Sequence, residues 1–181
     1  MATLQLDENL IIRMASNDGA AFRELYQQTS GVVYGFAMSI LRNKHDAEDV
    51  MHDAFIRIYT SAVTYKPNGN PMAWILTIVR NLCLNKIRAG KVKVCEELSE
   101  YDDLAGALND SNAVLDRMVL ETAMNVLDAE ERQIVVLHAM TGFRHREIAE
   151  ILDIPTGTVL SKYNRALKKM RKEMEAKGVK R

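Results

Sequence analysis

Residues 144–171 read RHREIAEILDIPTGTVLSKYNRALKKMR, and this stretch decides the fold. Ile148, Ala149, Ile151 and Leu152 fall at helical spacing and form one packing face, with Ala149 small enough to admit a second helix closely. Pro155 ends the first helix, because the residue before a proline is pushed out of the α region. A second helix begins at about Thr156, capped by Thr156 or a neighbour, and turns Val159, Tyr163, Ala166, Leu167 and Met170 inward. Leu160, Ser161, Asn164, Arg165 and Lys168 fall on its outer side. Two helices, at about residues 144–152 and 156–175, joined by the short turn Asp153-Ile154-Pro155, make a helix-turn-helix pattern, whose second helix enters the major groove of DNA. Arginine and asparagine suit bidentate contacts to base edges, and lysine supplies charge against phosphate. An ordinary helical hairpin shares the spacing, but not the agreement of spacing, capping and a basic outer face.

Upstream, Asp128-Ala129-Glu130-Glu131 has the spacing of a capping box. It opens a helix carrying Ile134, Val135, Leu137 and His138 that stops near Gly142, and another helix precedes it at about residues 113–127. Residues 91–113 differ in kind: Glu96, Glu97, Glu100, Asp102 and Asp103 crowd together, followed by Gly106 and Asn109-Asp110-Ser111-Asn112. Such a segment reads as a flexible acidic linker. The chain therefore divides into a helical module at 18–90, a linker at 91–113 and a second helical module at 114–177. Its zero net charge hides this pattern: residues 63–94 carry 6 basic and no acidic side chains, residues 95–140 carry 2 basic and 11 acidic, and residues 141–181 carry 11 basic and 5 acidic. Two basic blocks separated by an acidic one imply two surfaces for a polyanion.

In the first module, Asn43-Lys44-His45-Asp46 reads as a break and a helix start with Asp46 as cap. The helix beyond it gathers Ala47, Val50, Met51, Ala54, Phe55 and Ile58 on one face, while Glu48, Asp49, His52, Asp53 and Arg57 fall mostly elsewhere. Its clustered carboxylates favour the helix dipole and also suit docking of a basic protein partner. Residues 65–71, YKPNGNP, form a loop with two prolines and a glycine. The helix that follows, at about residues 72–88, has a core stripe of Ile75, Ile78, Val79 and Leu82 and a polar stripe of Thr77, Asn81, Asn85 and Arg88. A basic, rigid loop with an aromatic at each edge, Tyr65 and Trp74, beside an amide-bearing cationic stripe suits single-stranded DNA. Trp74 itself reads as packing its own helix rather than stacking on a base.

The rest of the composition fits an all-α protein, with only 9 glycines and 3 prolines to interrupt helices. No apolar run approaches the roughly 20 residues that cross a bilayer, so membrane insertion is not expected. The N-terminal stretch reads as lacking a signal peptide, and Cys83 and Cys95, which form no CxxC pair, fit a reducing cytoplasm as inert thiols. His45, His52, His138 and His145 show no metal-ligand spacing; His138 reads as a core edge and His145 as a surface residue. No phosphate-cradling glycine loop or nucleophile motif appears, so no catalysis, metal or cofactor is expected.

Three segments, AEDVMHDAFIRIY (47–59), PMAWILTIVRNLCLNKIR (71–88) and LDAEERQIVVLHAMTGFRHREIAEILDIPTGTVLSKYNRAL (127–167), together resemble the extracytoplasmic-function group of the sigma-70 family. The resemblance runs from about Phe22 to Glu173, broken at the linker. It implies two small helical domains and a function in directing core RNA polymerase to promoters and opening them. Asp46, Glu48, Asp49, His52, Asp53, Ile56 and Arg57 would dock on the clamp helices of the largest polymerase subunit. The 65–71 loop would trap a base flipped from the non-template strand of the minus-ten element, with Tyr65, Lys66, Asn68, Asn70, Trp74, Thr77, Arg80, Asn81, Asn85 and Arg88 forming the contact surface. Arg144, Thr156, Thr158, Leu160, Ser161, Lys162, Asn164, Arg165, Lys168 and Lys169 would bind the minus-thirty-five duplex. The linker would thread toward the RNA exit path, its acids mimicking nucleic acid. An anti-sigma factor is the implied inhibitor, able to hold the cytoplasmic protein at the membrane. Leu160, Lys162 and His145 depart from residues common at these positions, so upstream base preference is expected to differ. The alternative is a stand-alone helix-turn-helix transcriptional regulator, which has no need of the loop and amide stripe at 65–88.

Overall fold

A computed structural model of the chain describes residues 6–67, 69–90 and 122–176. Asn68, Cys95, the linker at 91–113 and most of the helix expected before residue 127 lie outside the described residues. Among the described residues every regular element is helical. The first module holds α1 (Asn9–Ala15), α2 (Gly19–Leu41), α3 (Lys44–Ser61), a 3-10 turn (Ala62–Thr64) and α4 (Pro71–Arg88). The second holds α5 (Ala129–Thr141), α6 (His145–Leu152) and α7 (Thr156–Ala176).

Helices α2, α3, α4 and α5 each start where a side chain accepts from open N–H groups of the first turn. Asp18 accepts from Ala20 and Ala21 (2.9 and 3.2 Å) at α2. At α3 the cap is Asn43, which accepts from the Asp46 N–H at 2.9 Å, and not Asp46 as the sequence suggested. The cap falls three residues earlier, Asn43 takes the extended backbone a cap needs, and Asp46 is left buried inside the first turn. Asn70 caps α4 through the Ala73 N–H (3.2 Å), and Pro71 starts that helix without needing a donor. Asp128 and Glu131 form the expected capping box of α5, with reciprocal bonds of 2.8 and 3.0 Å, and Gly142 ends that helix at φ 70°. The Pro155 carbonyl accepts from the Thr158 and Val159 N–H groups in the first turn of α7. Asp153 takes the left-handed conformation (φ 53°) that lets α6 turn sharply into α7.

The core face of α3 is as the spacing indicates: Ala47, Val50, Ala54, Phe55 and Ile58 are buried, and Met51 is half-buried. On α4 the buried set is Pro71, Met72, Ile75, Leu76, Val79 and Cys83, while Ile78 and Leu82 are only half-buried. The buried arc is wider and rotated from the expected stripe because two neighbours cover α4. The bundle takes one side, and α6 of the second module lies against the other. On α7 only Val159 and Ala166 are fully buried. Leu167, expected inward, is exposed, since it follows Ala166 by about 100° around the helix.

The two modules share one continuous apolar core, running from Leu10, Phe36 and Leu41 through Ile134, Leu137, Ile148 and Val159. Buried Arg132 on α5 reinforces the join. Its guanidinium donates to the Leu127 carbonyl (2.8 Å) and Met124 carbonyl (3.4 Å) of its own module and to the Ser39 carbonyl of α2 (3.5 Å). Helix α1, which precedes residue 18, belongs to the first module's core through Leu10, Ile11 and Met14. No described helix is long and apolar enough to cross a membrane.

Candidate nucleic-acid interface

Two surfaces carry the residues singled out from the sequence. The first is the loop after the 3-10 turn together with the outer side of α4. Tyr65 is half-buried: its ring lies 4.9 Å from that of Trp74, and its hydroxyl donates to Glu8 Oε1. The Gly69 N–H donates to the same oxygen at 3.1 Å, from a backbone at φ 77° that favours glycine. Trp74 packs against the core, as expected of it. Lys66 is exposed. Asn70 spends its carbonyl on capping α4 and its amide on Glu147 of α6 (3.3 Å).

Along α4, Thr77, Asn81, Asn85 and Arg88 are all exposed and keep the predicted stripe. The Thr77 hydroxyl donates to the Ala73 carbonyl (2.9 Å). Arg80 is half-buried instead, and its guanidinium donates to the Leu152 carbonyl of α6 at 2.8 Å. Lys86 turns back toward α3. It meets Asp46 at 2.8 Å and Asp49 at 3.0 Å. Burial works against the charge on Lys86, but its hydrogen bonds to Asp46 and Asp49 outweigh that and raise its pKa above the ordinary lysine value. The same Lys86 contact holds Asp49 below the usual carboxylate range.

The carboxylates of α3 therefore do two jobs. Asp46 is buried and closes α3 onto α4. Asp49, His52, Asp53 and Arg57 face solvent around Ile56, whose side chain is 64% exposed, and Glu48 is half-buried. Ile56 and Val63 are the most exposed large apolar side chains in the described residues.

The second surface is α7. Leu160, Ser161, Asn164, Arg165 and Lys168 are exposed, with Thr156 and Arg144 nearby, while Thr158 is half-buried. The Ser161 hydroxyl donates to the Thr158 carbonyl (3.0 Å). Two lysines assigned to this surface point elsewhere. Lys162, 20% exposed, lies 3.2 Å from Glu130 and 3.7 Å from Asp128. Lys169 bonds at 2.6 Å to Glu131, which is fully buried. Seven residues apart, they lie on one side of the helix and bind α7 to the start of α5. Asp128 is pushed up by burial, but the Glu131 N–H and the charges of Lys162 and Lys169 bring it below its ordinary value.

Three contributors escaped the sequence reading: Glu8, Lys86 and Arg132. The run of six basic residues without an acid in 63–94 was a signal for Lys86, since one of them had to face the acids of α3. Glu8 and Arg132 left no such trace, because their partners include backbone groups that any sequence supplies. His145, read as a surface residue, is half-buried: its ring stacks on His138 at 5.6 Å, both edge onto Tyr163, and His138 Nδ1 donates to the Phe143 carbonyl (2.9 Å). Cys83 is buried, which pushes its thiol up to about 12 and keeps it protonated and inert at neutral pH. Among the described residues no cluster of three or more histidine, cysteine or acidic side chains is arranged to hold a metal.

Two family models match the chain, one in each module. The model of sigma-70 region 2 matches residues 25–92, and that of sigma-70 region 4 matches residues 117–170. The chain belongs to the sigma-70 family. Its relatives place it in the extracytoplasmic-function group. It is 32% identical over 168 residues to the ECF RNA polymerase sigma factor SigE of Mycolicibacterium smegmatis, covering 87% of this chain and 64% of that protein. It is 27% identical over 173 residues to SigL of Mycobacterium tuberculosis (92% and 96%) and 28% identical over 177 residues to SigW of Bacillus subtilis (91% and 94%). Among solved structures the fold is similar to that of CnrH, solved in complex with the cytosolic domain of CnrY, at a TM-score of 0.69 and 22% identity (94% and 97% covered). It is also similar to sigma factor RpoE of Bartonella quintana, solved with the anti-sigma factor NepR, at a TM-score of 0.67 and 22% identity (88% and 98%).

Proposed function

We propose that this chain is the promoter-reading subunit of a bacterial RNA polymerase, acting in the cytoplasm by binding and not by catalysis. The observation that supports it most is the pairing, in one chain and in family order, of an amide-bearing cationic stripe on α4 with an exposed reading face on α7. The α7 face binds the minus-thirty-five duplex, with Asn164 and Arg165 reaching base edges, Leu160 offering an apolar surface to a thymine methyl, and Lys168 neutralising phosphate. Asn81, Asn85 and Arg88 follow the non-template strand of the minus-ten element, and the loop of Tyr65, Lys66, Gly69 and Asn70 receives a base flipped out of it. Ile56, ringed by His52, Asp53 and Arg57, docks on core polymerase. RNA synthesis belongs to the polymerase. An anti-sigma factor is the inhibitor, as the anti-sigma factor NepR accompanies RpoE.

Purified protein is mixed with sigma-free core polymerase and a genomic fragment library, and transcript starts are sequenced. Initiation at shared sequence elements that depends on the added protein is the expected result. Folded protein that neither binds a cognate core nor directs starts would reject this function.

A further inference from the structure

We propose that Glu8 is a positioning residue for promoter opening: its carboxylate ties both ends of the base-receiving loop and holds that loop in its capturing shape. The inference rests on the reading above that the loop receives a flipped base. One oxygen, Glu8 Oε1, accepts from the Tyr65 hydroxyl at the loop's start and from the Gly69 N–H, at 3.1 Å, near its end. Glu8 thus forms a chord across the turn of chain that displays Lys66 and Pro67 to solvent.

The chord is mounted on something rigid. Glu8 immediately precedes α1, whose Leu10, Ile11 and Met14 are at most 2% exposed, and α1 packs against the 3-10 turn that leads into the loop. The Tyr65 ring is also held by Trp74 (4.9 Å), and Asn70, next to the loop's end, is fixed as the cap of α4. Tyr65 is therefore held at both its ring and its hydroxyl and serves as a wall of the site. A loop fixed in advance loses little freedom when a nucleotide enters, so more of the contact energy appears as capture. A bare carboxylate beside a phosphate chain would repel it; accepting two hydrogen bonds at one oxygen and having Lys66 close by in the chain moderates that repulsion.

The test uses polymerase holoenzyme carrying full-length wild-type protein, Glu8→Ala, Glu8→Gln or Tyr65→Phe. The probe is a single-stranded non-template oligonucleotide spanning the minus-ten element mapped from transcript starts, intact or with one base removed at each position in turn. In wild type, removing the captured base weakens binding. Glu8→Ala should weaken binding of the intact strand roughly tenfold, the scale of a lost charge-assisted hydrogen bond. It should also abolish the penalty for removing that base. Glu8→Gln, which keeps an acceptor oxygen, should restore most of the affinity, and Tyr65→Phe should fall between. Affinity for core polymerase and for the minus-thirty-five duplex should stay at wild-type levels in Glu8→Ala. Equal losses on intact and base-free strands, or no loss at all, would overturn the positioning role while leaving the function intact. A wild-type holoenzyme indifferent to every base removal would overturn base capture by the loop and this inference with it.

Discussion

The helices α4 and α7 are both basic, both assigned to DNA, and held to the protein in opposite ways. Helix α4 is anchored by buried apolar side chains, Pro71, Met72, Ile75, Leu76, Val79 and Cys83, with Lys86, paired to Asp46 and Asp49, near its far end. Helix α7 buries only Val159 and Ala166 and is clasped to α5 by Lys162 and Lys169. Apolar anchoring is not screened by salt and hardly depends on pH, whereas ion pairs weaken with salt and respond to pH. The helix proposed to read duplex DNA is thus fastened by charges of the same kind as those on its exposed face. Two of its six basic residues are committed inward, which leaves Arg165, Lys168, Arg171 and Lys172 for the nucleic acid.

The largest expected effect lies on the apolar side. Ile75→Ala removes a side chain with no exposure and should cost about 2–5 kcal/mol, measured by denaturant unfolding. A cost below about 1 kcal/mol would mean that α4 is not apolar-anchored. Next is the clasp. Lys169→Met leaves the buried Glu131 carboxylate without its cation and should cost about 1–3 kcal/mol, less than a wholly buried pair because Lys169 is itself 38% exposed. Adding Glu131→Gln should recover part of that loss. On DNA, Arg165→Ala should weaken minus-thirty-five binding by about 1–3 kcal/mol. Lys168→Ala should reduce the salt slope of duplex binding by about 1, and Lys162→Ala should leave that slope unchanged, because Lys162 faces Glu130. Equal slopes for the two lysine variants would break the division between clasping and contacting residues. The smallest effect is acid sensitivity. Asp128 has a folded-state pKa below its unfolded value, so it stabilises the fold above about pH 3.9 and that contribution disappears as pH falls through the folded value. The stability gap between wild type and Asp128→Asn should therefore close in acid, as followed by circular dichroism, while the gap between wild type and Ile75→Ala should persist.

Most of the helical plan was legible in the sequence because caps and periodicity are local. The Asp128–Glu131 box, the turn at Pro155 and the buried face of α3 depend on residues three or four apart. What was not legible depends on which element arrives from elsewhere. Periodicity shows that α4 has an apolar side, but burial of Leu76 and half-burial of Arg80 follow from α6 packing against it. The outward set of α7 was read correctly at Leu160, Ser161, Asn164, Arg165 and Lys168. Lys162 and Lys169 were misplaced because a lysine on a basic helix looks the same whether it faces phosphate or a buried glutamate. Asn43 displaced Asp46 as a cap for a similar reason: both are good caps by type, and only the backbone at the break distinguishes them.

The bonds from Arg80 to Leu152 and from Asn70 to Glu147 set a problem of distance. They hold α4 and its loop against α6, whereas promoter elements centred about 25 base pairs apart lie about 85 Å from one another along B-form DNA, at about 3.4 Å per pair. A protein that reached both elements at once would first have to part α4 from α6, breaking both bonds and uncovering the apolar residues the two modules share.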